Sequence, residues 1–366
     1  MHILVTADTL GGVWTYTREL TCGLLARGHR VTLVSFGRIP APDQTVWLNH
    51  KNLTFHSTAF PLEWMEDSQA GIEASVERLA EIIHDARPDV LHFNQFCYGA
   101  LESGIPKIVV AHSDVLSWWT AVHGDGPPRS PWLDWYAGVV SGGLTGADAV
   151  VAPSRWMLDT LHTFYKLPSR CLVIYNGRTE GLFRPSARKS ESVLSVGRIW
   201  DEGKQIRLLL ERDHNVPVRI AGPVHHPARA ANDKPMLQIM SNFTFCGEQD
   251  EDQLRELYAN SATYAATSRY EPFGLAPVEA ALSRCALVVN DIPVFHELWG
   301  NAAFYFDRNN AESLAQAIRL LSQFSWLRES LADSAYERAR QRFGSARMVA
   351  EYENLYRSLT GKAEQA

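Results

Sequence analysis

The chain reads as an α/β protein made of two doubly wound, Rossmann-like halves. Three observations predict this. The opening runs strand, Gly turn, helix, strand: "HILVTA" (2–7), then "DTLGGVW", an amphipathic stretch through about Arg27 closed by Gly28, and "HRVTLVSF" (29–36). The strand candidates are unbroken apolar runs, as a parallel sheet covered on both faces requires. The same rhythm then restarts after a polar, non-periodic segment at 177–191 that contains Pro185.

The elements follow in order. In the first half, "GIEASVERLAEIIHDAR" (71–87) predicts a helix. "DVLHFNQ" (89–95), "KIVVAHS" (107–113) and "DAVVAPS" (148–154) predict strands, with a helix over 154–165 and a closing strand at 170–177. In the second half, strands are expected at 192–198, 216–222, 242–247, 262–267 and 285–291. Helices are expected at 204–212, 250–261, 311–323 and 325–342. The last helix, 345–360, carries one apolar stripe: Met348, Val349, Tyr352, Leu355, Tyr356 and Leu359.

Composition bounds the function. At 366 residues the chain suits two domains, and 46% hydrophobic with 21% charged residues is an ordinary globular balance. A net charge of −6 argues against a nucleic-acid binder. The five scattered cysteines form no Cys-x-x-Cys pair, so reduced thiols are expected, with no metal cluster or disulfide framework. No apolar run reaches the roughly 20 residues that span a bilayer. A cytoplasmic protein is expected, with peripheral membrane contact left open.

The most informative stretch is "RYEPFGLAPVEAAL" (269–282). Pro277 is placed as the first residue of a helix, which makes "EPFGLA" its entry loop. The N–H groups of Gly274, Leu275 and Ala276 would then converge where a helix dipole attracts phosphate. Glu279, expected in the first helical turn, could accept from ribose hydroxyls. Glu271 could reach the other end of the same ligand, and a nucleotide sugar has that shape. Taken alone, the segment fits a capped surface helix, whose acids complement the dipole, better than a ligand site. Two further groups bear on the choice: in "SVGRIWDEGK" (195–204), Arg198 follows a strand and Lys204 opens the next helix, where both could neutralise a diphosphate.

These residues carry a family resemblance over nearly the whole chain. The Glu-x7-Glu segment, "SVGRIWDEGK", the interdomain "VIYNGRTEGLFRP" (173–185), "VVAPSRWMLDTL" and "DTLGGVWTYTREL" resemble the motifs of retaining glycosyltransferases of the GT-B architecture, family 4. The resemblance implies a first domain at 1–178 that binds the acceptor and a second at 179–344 that binds the donor. A C-terminal helix (345–366) would cross back onto the first domain, and the two sheets would face across a cleft. It implies that Glu271 contacts the donor sugar with the backbone of Phe273 and Gly274, and that Leu275 N–H meets the distal phosphate. Glu279 would bind ribose, Arg198 and Lys204 would clamp the diphosphate, and Gly11 and Gly12 would let a loop approach it. His112, after a strand in "VVAHSD", matches the family's cleft histidine. Transfer would retain the anomeric configuration and need neither metal nor cofactor, the nucleotide sugar being a substrate. "NDIPVFHELWG" (290–300) departs from the usual Gly-Gly loop, so sugar specificity does not carry over.

UDP-glucose is the first donor expectation and GDP-mannose the next, with a polysaccharide, lipid-linked sugar or small molecule as acceptor. Asn94 and Asp114, at strand ends, are acceptor-side candidates. So are Trp118 and Trp119, in a Trp-rich loop expected at 113–136, because flat aromatic faces suit stacking on a sugar. The same chemistry leaves open a nucleotide-sugar epimerase or hydrolase, or a non-catalytic binding protein. A two-carboxylate glycosidase is the rival use of Glu271 and Glu279. A dinucleotide oxidoreductase fits less well, since "LGGVW" is not Gly-x-Gly-x-x-Gly. "DED" (250–252) is read as a helix cap, not a metal site.

Overall fold

The computed structural model of the chain describes residues 1–9, 11–225 and 242–361. The chain divides into two compact units: Met1–Thr120, Asp125–Gly177 and the segment from Ser345 form one, and Ala121–Gly124 with Arg178–Gly344 form the other.

The first unit holds a parallel sheet of β1 (His2–Asp8), β2 (Arg30–Phe36), β3 (Leu53–Ser57), β4 (Val90–Phe93), β5 (Lys107–Val110), β6 (Ala149–Ala152) and β7 (Cys171–Val173), in the order β3-β2-β1-β4-β5-β6-β7. Successive strand residues feed opposite faces. Leu4, Leu91 and Val109 join one apolar cluster, while Ile3, Val5, Val90, Ile108 and Val110 join the other. Helix Ser345–Thr360 covers this second face with Met348, Val349, Tyr352, Leu355 and Tyr356, beside Leu20 and Leu24 of helix Gly12–Ala26. The contact is close. A Cβ on Gly23 would lie 2.4 Å from Val349 Cγ2, so only glycine fits there. Glu353 is anchored by Arg27 and by His29 Nε2 at 2.5 Å. Burial pushes its carboxyl up, but these two hydrogen bonds outweigh burial and hold it below the usual range.

The second unit holds β8 (Ser190–Val196), β9 (Val218–Ala221), β10 (Phe243–Gly247), β11 (Ser261–Ala266), β12 (Ala286–Asn290) and β13 (Phe304–Phe306), all parallel, in the order β10-β9-β8-β11-β12-β13. Counted within each unit, both sheets start 3-2-1-4-5-6. The order reverses between the first and fourth strands, and ligands of such sheets bind outside the carboxyl ends of those strands.

Two expectations need correction. The stretch at 113–136 is largely helical: Val115–His123 and Pro131–Gly146 are helices. Asp114 Oδ2 accepts Ser117 N–H at the start of the first, and Ser130 Oγ accepts Leu133 N–H at the start of the second, with Pro131 in its first turn. The helix expected at 204–212 is a 3₁₀ segment, Ile206–Glu211, separated from Lys204 by Gln205 at φ 49°. Residues 362–366, the end of the predicted C-terminal helix, lie outside the described residues. Among the described residues no helix is long and apolar enough to cross a membrane.

Candidate functional site

In the second unit the switch point lies between β8 and β11. Their outgoing loops are tied together by backbone. The Gly203 carbonyl accepts from Arg269 N–H at 2.8 Å and Tyr270 N–H at 3.3 Å, and Thr267 Oγ1 donates to the Lys204 carbonyl at 2.9 Å. Asp201 tightens the first loop by accepting Gly203 N–H at 2.8 Å. The outcome is a direct ion pair: Lys204 Nζ lies 2.6 Å from Glu271 Oε2, and Ser268 Oγ donates to the same oxygen at 3.0 Å. The Lys204 side chain is 31% exposed and that of Glu271 11%, so the lysine is the member a ligand can reach.

Gly274 caps the following helix at φ 90°, and a Cβ there would sit 3.1 Å from Glu271 Cγ. Glycine thus serves both the turn and the close approach to the carboxylate. The helix runs Leu275–Leu282, which places Pro277 third and Glu279 in the second turn, not the first. The first four N–H groups of a helix lack intrahelical partners in any case, so proline at the third position breaks no hydrogen bond. Lys204, Glu271, Gly274 and Leu275 line one pocket of about 40 Å³. That is room for about three waters, so most of a larger ligand would lie outside it. Phe273 is buried with its ring edge-on to Phe343 at 5.3 Å, which leaves its backbone as the part able to meet a ligand.

Arg198 is half exposed, donates to Asp201 Oδ2 at 2.5 Å and lies over the Trp200 ring at 5.1 Å. Glu279 is ion-paired through Oε1 to Arg178 Nε at 2.9 Å. Asp250 caps helix Glu251–Asn260 in a reciprocal pair with Gln253, at 2.8 and 3.0 Å. Among the described residues, no group of three or more His, Cys, Asp or Glu is placed to hold a metal ion.

In the first unit, Gly11 at φ 70° precedes helix Gly12–Ala26 at the carboxyl end of β1, and both glycines are exposed. Beyond the neighbouring β4, Asn94 is buried and fully engaged. Its Nδ2 donates to the Thr6 carbonyl at 2.6 Å and to Thr17 Oγ1 at 3.2 Å. Its Oδ1 therefore faces His112 Nε2 at 2.9 Å, so Nε2 of the neutral ring carries the hydrogen and Nδ1 the lone pair. His92 lies behind, with Nδ1 2.7 Å from Tyr356 OH and Nε2 3.2 Å from Tyr16 OH. Burial lowers both histidines to about 3, and at His92 the charge of His112 adds to it. Both rings are neutral at pH 7.

The acceptor-side candidates fare differently. Asn94 positions His112. Asp114 is buried as a cap, accepting from Ser117 N–H and, at 2.6 Å, from Tyr165 OH. Trp118 and Trp119 stand edge-on at 6.2 Å, both partly exposed. Trp132 stacks on Tyr136 and donates to the Met65 carbonyl, and so belongs to the packing.

Two family models match the chain: Glycosyltransferase Family 4 over residues 10–179 and Glycosyl transferases group 1 over residues 185–340. The chain belongs to this glycosyltransferase family. It is similar to the O-antigen chain mannosyltransferase RfbU of Salmonella typhimurium, 27% identical over 180 residues, 48% of this chain and 51% of that protein. The matched part thus spans about half the length of that relative. Among solved structures it resembles the sucrose-phosphate synthase of Thermosynechococcus elongatus (TM-score 0.83, 19% identity, 99% of this chain and all of that one). It also resembles Anabaena HepE in complex with UDP-glucose (TM-score 0.75, 18% identity, 98% of this chain and all of that one). Both parallel-sheet units match the GT-B fold of these neighbours.

Sequence reasoning missed four residues that hold these pairs in place: Asp201, Ser268, His92 and Arg178. The first three sit inside or beside quoted motifs, but their roles depend on contacts between separate loops. Arg178 lies in a segment read as a linker, where an arginine would be expected in water.

Proposed function

We propose that this glycosyltransferase moves a hexosyl group from a nucleoside diphosphate sugar to a hydroxyl of a carbohydrate or glycoconjugate acceptor, with retention and without a metal ion. The Lys204–Glu271 pair carries the reading. It combines, beside a helix N-terminus at a sheet switch point, a reachable cation for phosphate and a carboxylate for sugar hydroxyls. A diphosphate would share Lys204 with Glu271 and draw Arg198 from the rim. The two cations would stabilise the charge that grows on the departing nucleotide. Glu271, held by Lys204 and Ser268, acts as an acceptor of sugar hydroxyls and not as a nucleophile. The amide of Leu275 would meet the distal phosphate. His112 would offer a neutral ring to a sugar hydroxyl.

The mannosyltransferase name of RfbU and the UDP-glucose held by HepE make GDP-mannose and UDP-glucose the two donors to try first. The test is thermal stabilisation by UDP-, GDP-, ADP- and TDP-sugars with EDTA present. A selective upward shift with one donor is expected, because a ligand bound only by the folded state raises its melting temperature. Absence of a shift with every donor overturns the reading. The anomeric configuration of the product, read by NMR, then tests retention.

A further inference from the structure

Arg178 is 1% exposed, although it lies in a polar, non-periodic segment. A charged side chain this deep must be paired to persist. Its backbone N–H donates to the Phe343 carbonyl at 2.8 Å, which fixes where the side chain starts. Its guanidinium lies 5.0 Å from the centroid of the Phe183 ring and spans two carboxylates of different helices. One nitrogen donates to Glu251 Oε1 at 2.7 Å, and Nε lies 2.9 Å from Glu279 Oε1. Arg255 reaches the same Glu251 oxygen at 3.0 Å. Arg255 also pairs with the exposed Asp252 at 2.7 Å, so the two arginines serve three carboxylates, and Arg178 is the one of the two that reaches Glu279.

We infer that Arg178 is the positioning residue of the ribose subsite, holding the Glu279 carboxylate in one orientation to accept nucleoside hydroxyls. The inference rests on the reading of Glu279 as the ribose acceptor. Two features support it. The Glu279 side chain is 12% exposed against 30% for Glu251, so Arg178 joins a shielded carboxylate to a more open one. A carboxylate left uncompensated near a diphosphate would repel it, and Arg178 offsets that repulsion at Glu279 without covering the phosphate-facing Lys204. A planar guanidinium suits this task better than an ammonium, because it contacts two acids at fixed angles.

The experiment compares the affinity of the full chain for UDP and GDP with that for their 2′-deoxy counterparts, by calorimetry, in wild type, Glu279→Gln, Arg178→Lys and Arg178→Met. Wild type should prefer the ribonucleotide it binds by roughly 10- to 100-fold, as for a hydroxyl bonded to a charged acceptor. Glu279→Gln and Arg178→Met should each bring that ratio down to a few-fold, and Arg178→Lys should fall between. If Arg178→Met does not fold, Arg178→Lys alone must still show the reduced ratio. A merely structural role would lower the melting temperature of the Arg178 variants and leave the ratio at its wild-type value, which overturns the inference. A ratio lost in Glu279→Gln but kept in both Arg178 variants removes Arg178 alone. A wild type that does not discriminate removes the ribose reading of Glu279 and the inference with it.

Discussion

The two sheets carry opposite electrostatics at their carboxyl ends, the second at its switch point and the first beside its own, beyond its fourth and fifth strands. In the second unit, the loops after β8 and β11 bring an ammonium and a carboxylate together at 2.6 Å with the lysine open to water. In the first, the segments beyond β4 and β5 bring Asn94 and His112 together at 2.9 Å, with His92 behind and every ring neutral. Topology therefore fixes where a ligand can sit, and the loops decide what kind. A charged pair suits a diphosphate, and a desolvated neutral network suits uncharged hydroxyls.

The largest test of this contrast is Lys204→Ala. Turnover should fall roughly 10²- to 10³-fold, the usual loss when one preorganised charge donor is removed, with the circular dichroism spectrum unchanged. Normal turnover in the folded variant would erase the difference between the two regions. Next comes Asp114→Ala in the first unit. It should lower stability by about 2–3 kcal/mol in denaturant melts, because buried donors on Tyr165 and Ser117 lose their acceptor. An unchanged midpoint together with a raised KM for acceptor would restore Asp114 as a binding residue.

The neutral network predicts a pH signature. His92 faces Tyr16, Tyr352, Tyr356, Asn94 and His112, and both histidines stay neutral down to about 3. In the unfolded chain they titrate near 6.5. Below that pH the unfolded state binds more protons, so their contribution is complete above about pH 7 and is lost as pH falls from 6.5 toward 3. His92→Asn should flatten that acid limb of the stability curve, and an equally steep limb would disprove the assignment. The smallest effect is expected at Asp250→Ala, which removes one helix cap and should cost about 1 kcal/mol with kcat unchanged.

Much of this was legible in the sequence, and the failures share a cause. Helix 311–323 and the apolar stripe of 345–360 read directly because their periodicity is local. The Glu271, Gly274 and Lys204 motifs were visible because phosphate chemistry restricts residue types. The helices inside 113–136 were hidden by Gly124, Gly126, Pro127 and Pro128, which read as one long loop when they only separate two helices. Pro277 was placed two positions early because proline is compatible with any of the first helical positions. Arg178 was invisible because its partners lie 73 and 101 positions along the chain, Glu251 and Glu279, and burial of an arginine is a tertiary fact.

Helix Ser345–Thr360 has a consequence for how the protein is made. It closes one face of the sheet that begins at His2, and Glu353 ties its middle to Arg27 and His29. A ribosome releases residues in order, so the first unit waits for almost the whole chain before that face can be covered. Until then Leu20, Leu24 and Gly23 lack Val349 and its neighbours. The second unit, Arg178–Gly344 in the main, is complete earlier. Although its strands come later in synthesis, the second unit does not need that helix, and a released chain truncated after residue 344 should be protease-resistant in the second unit and sensitive near its own beginning.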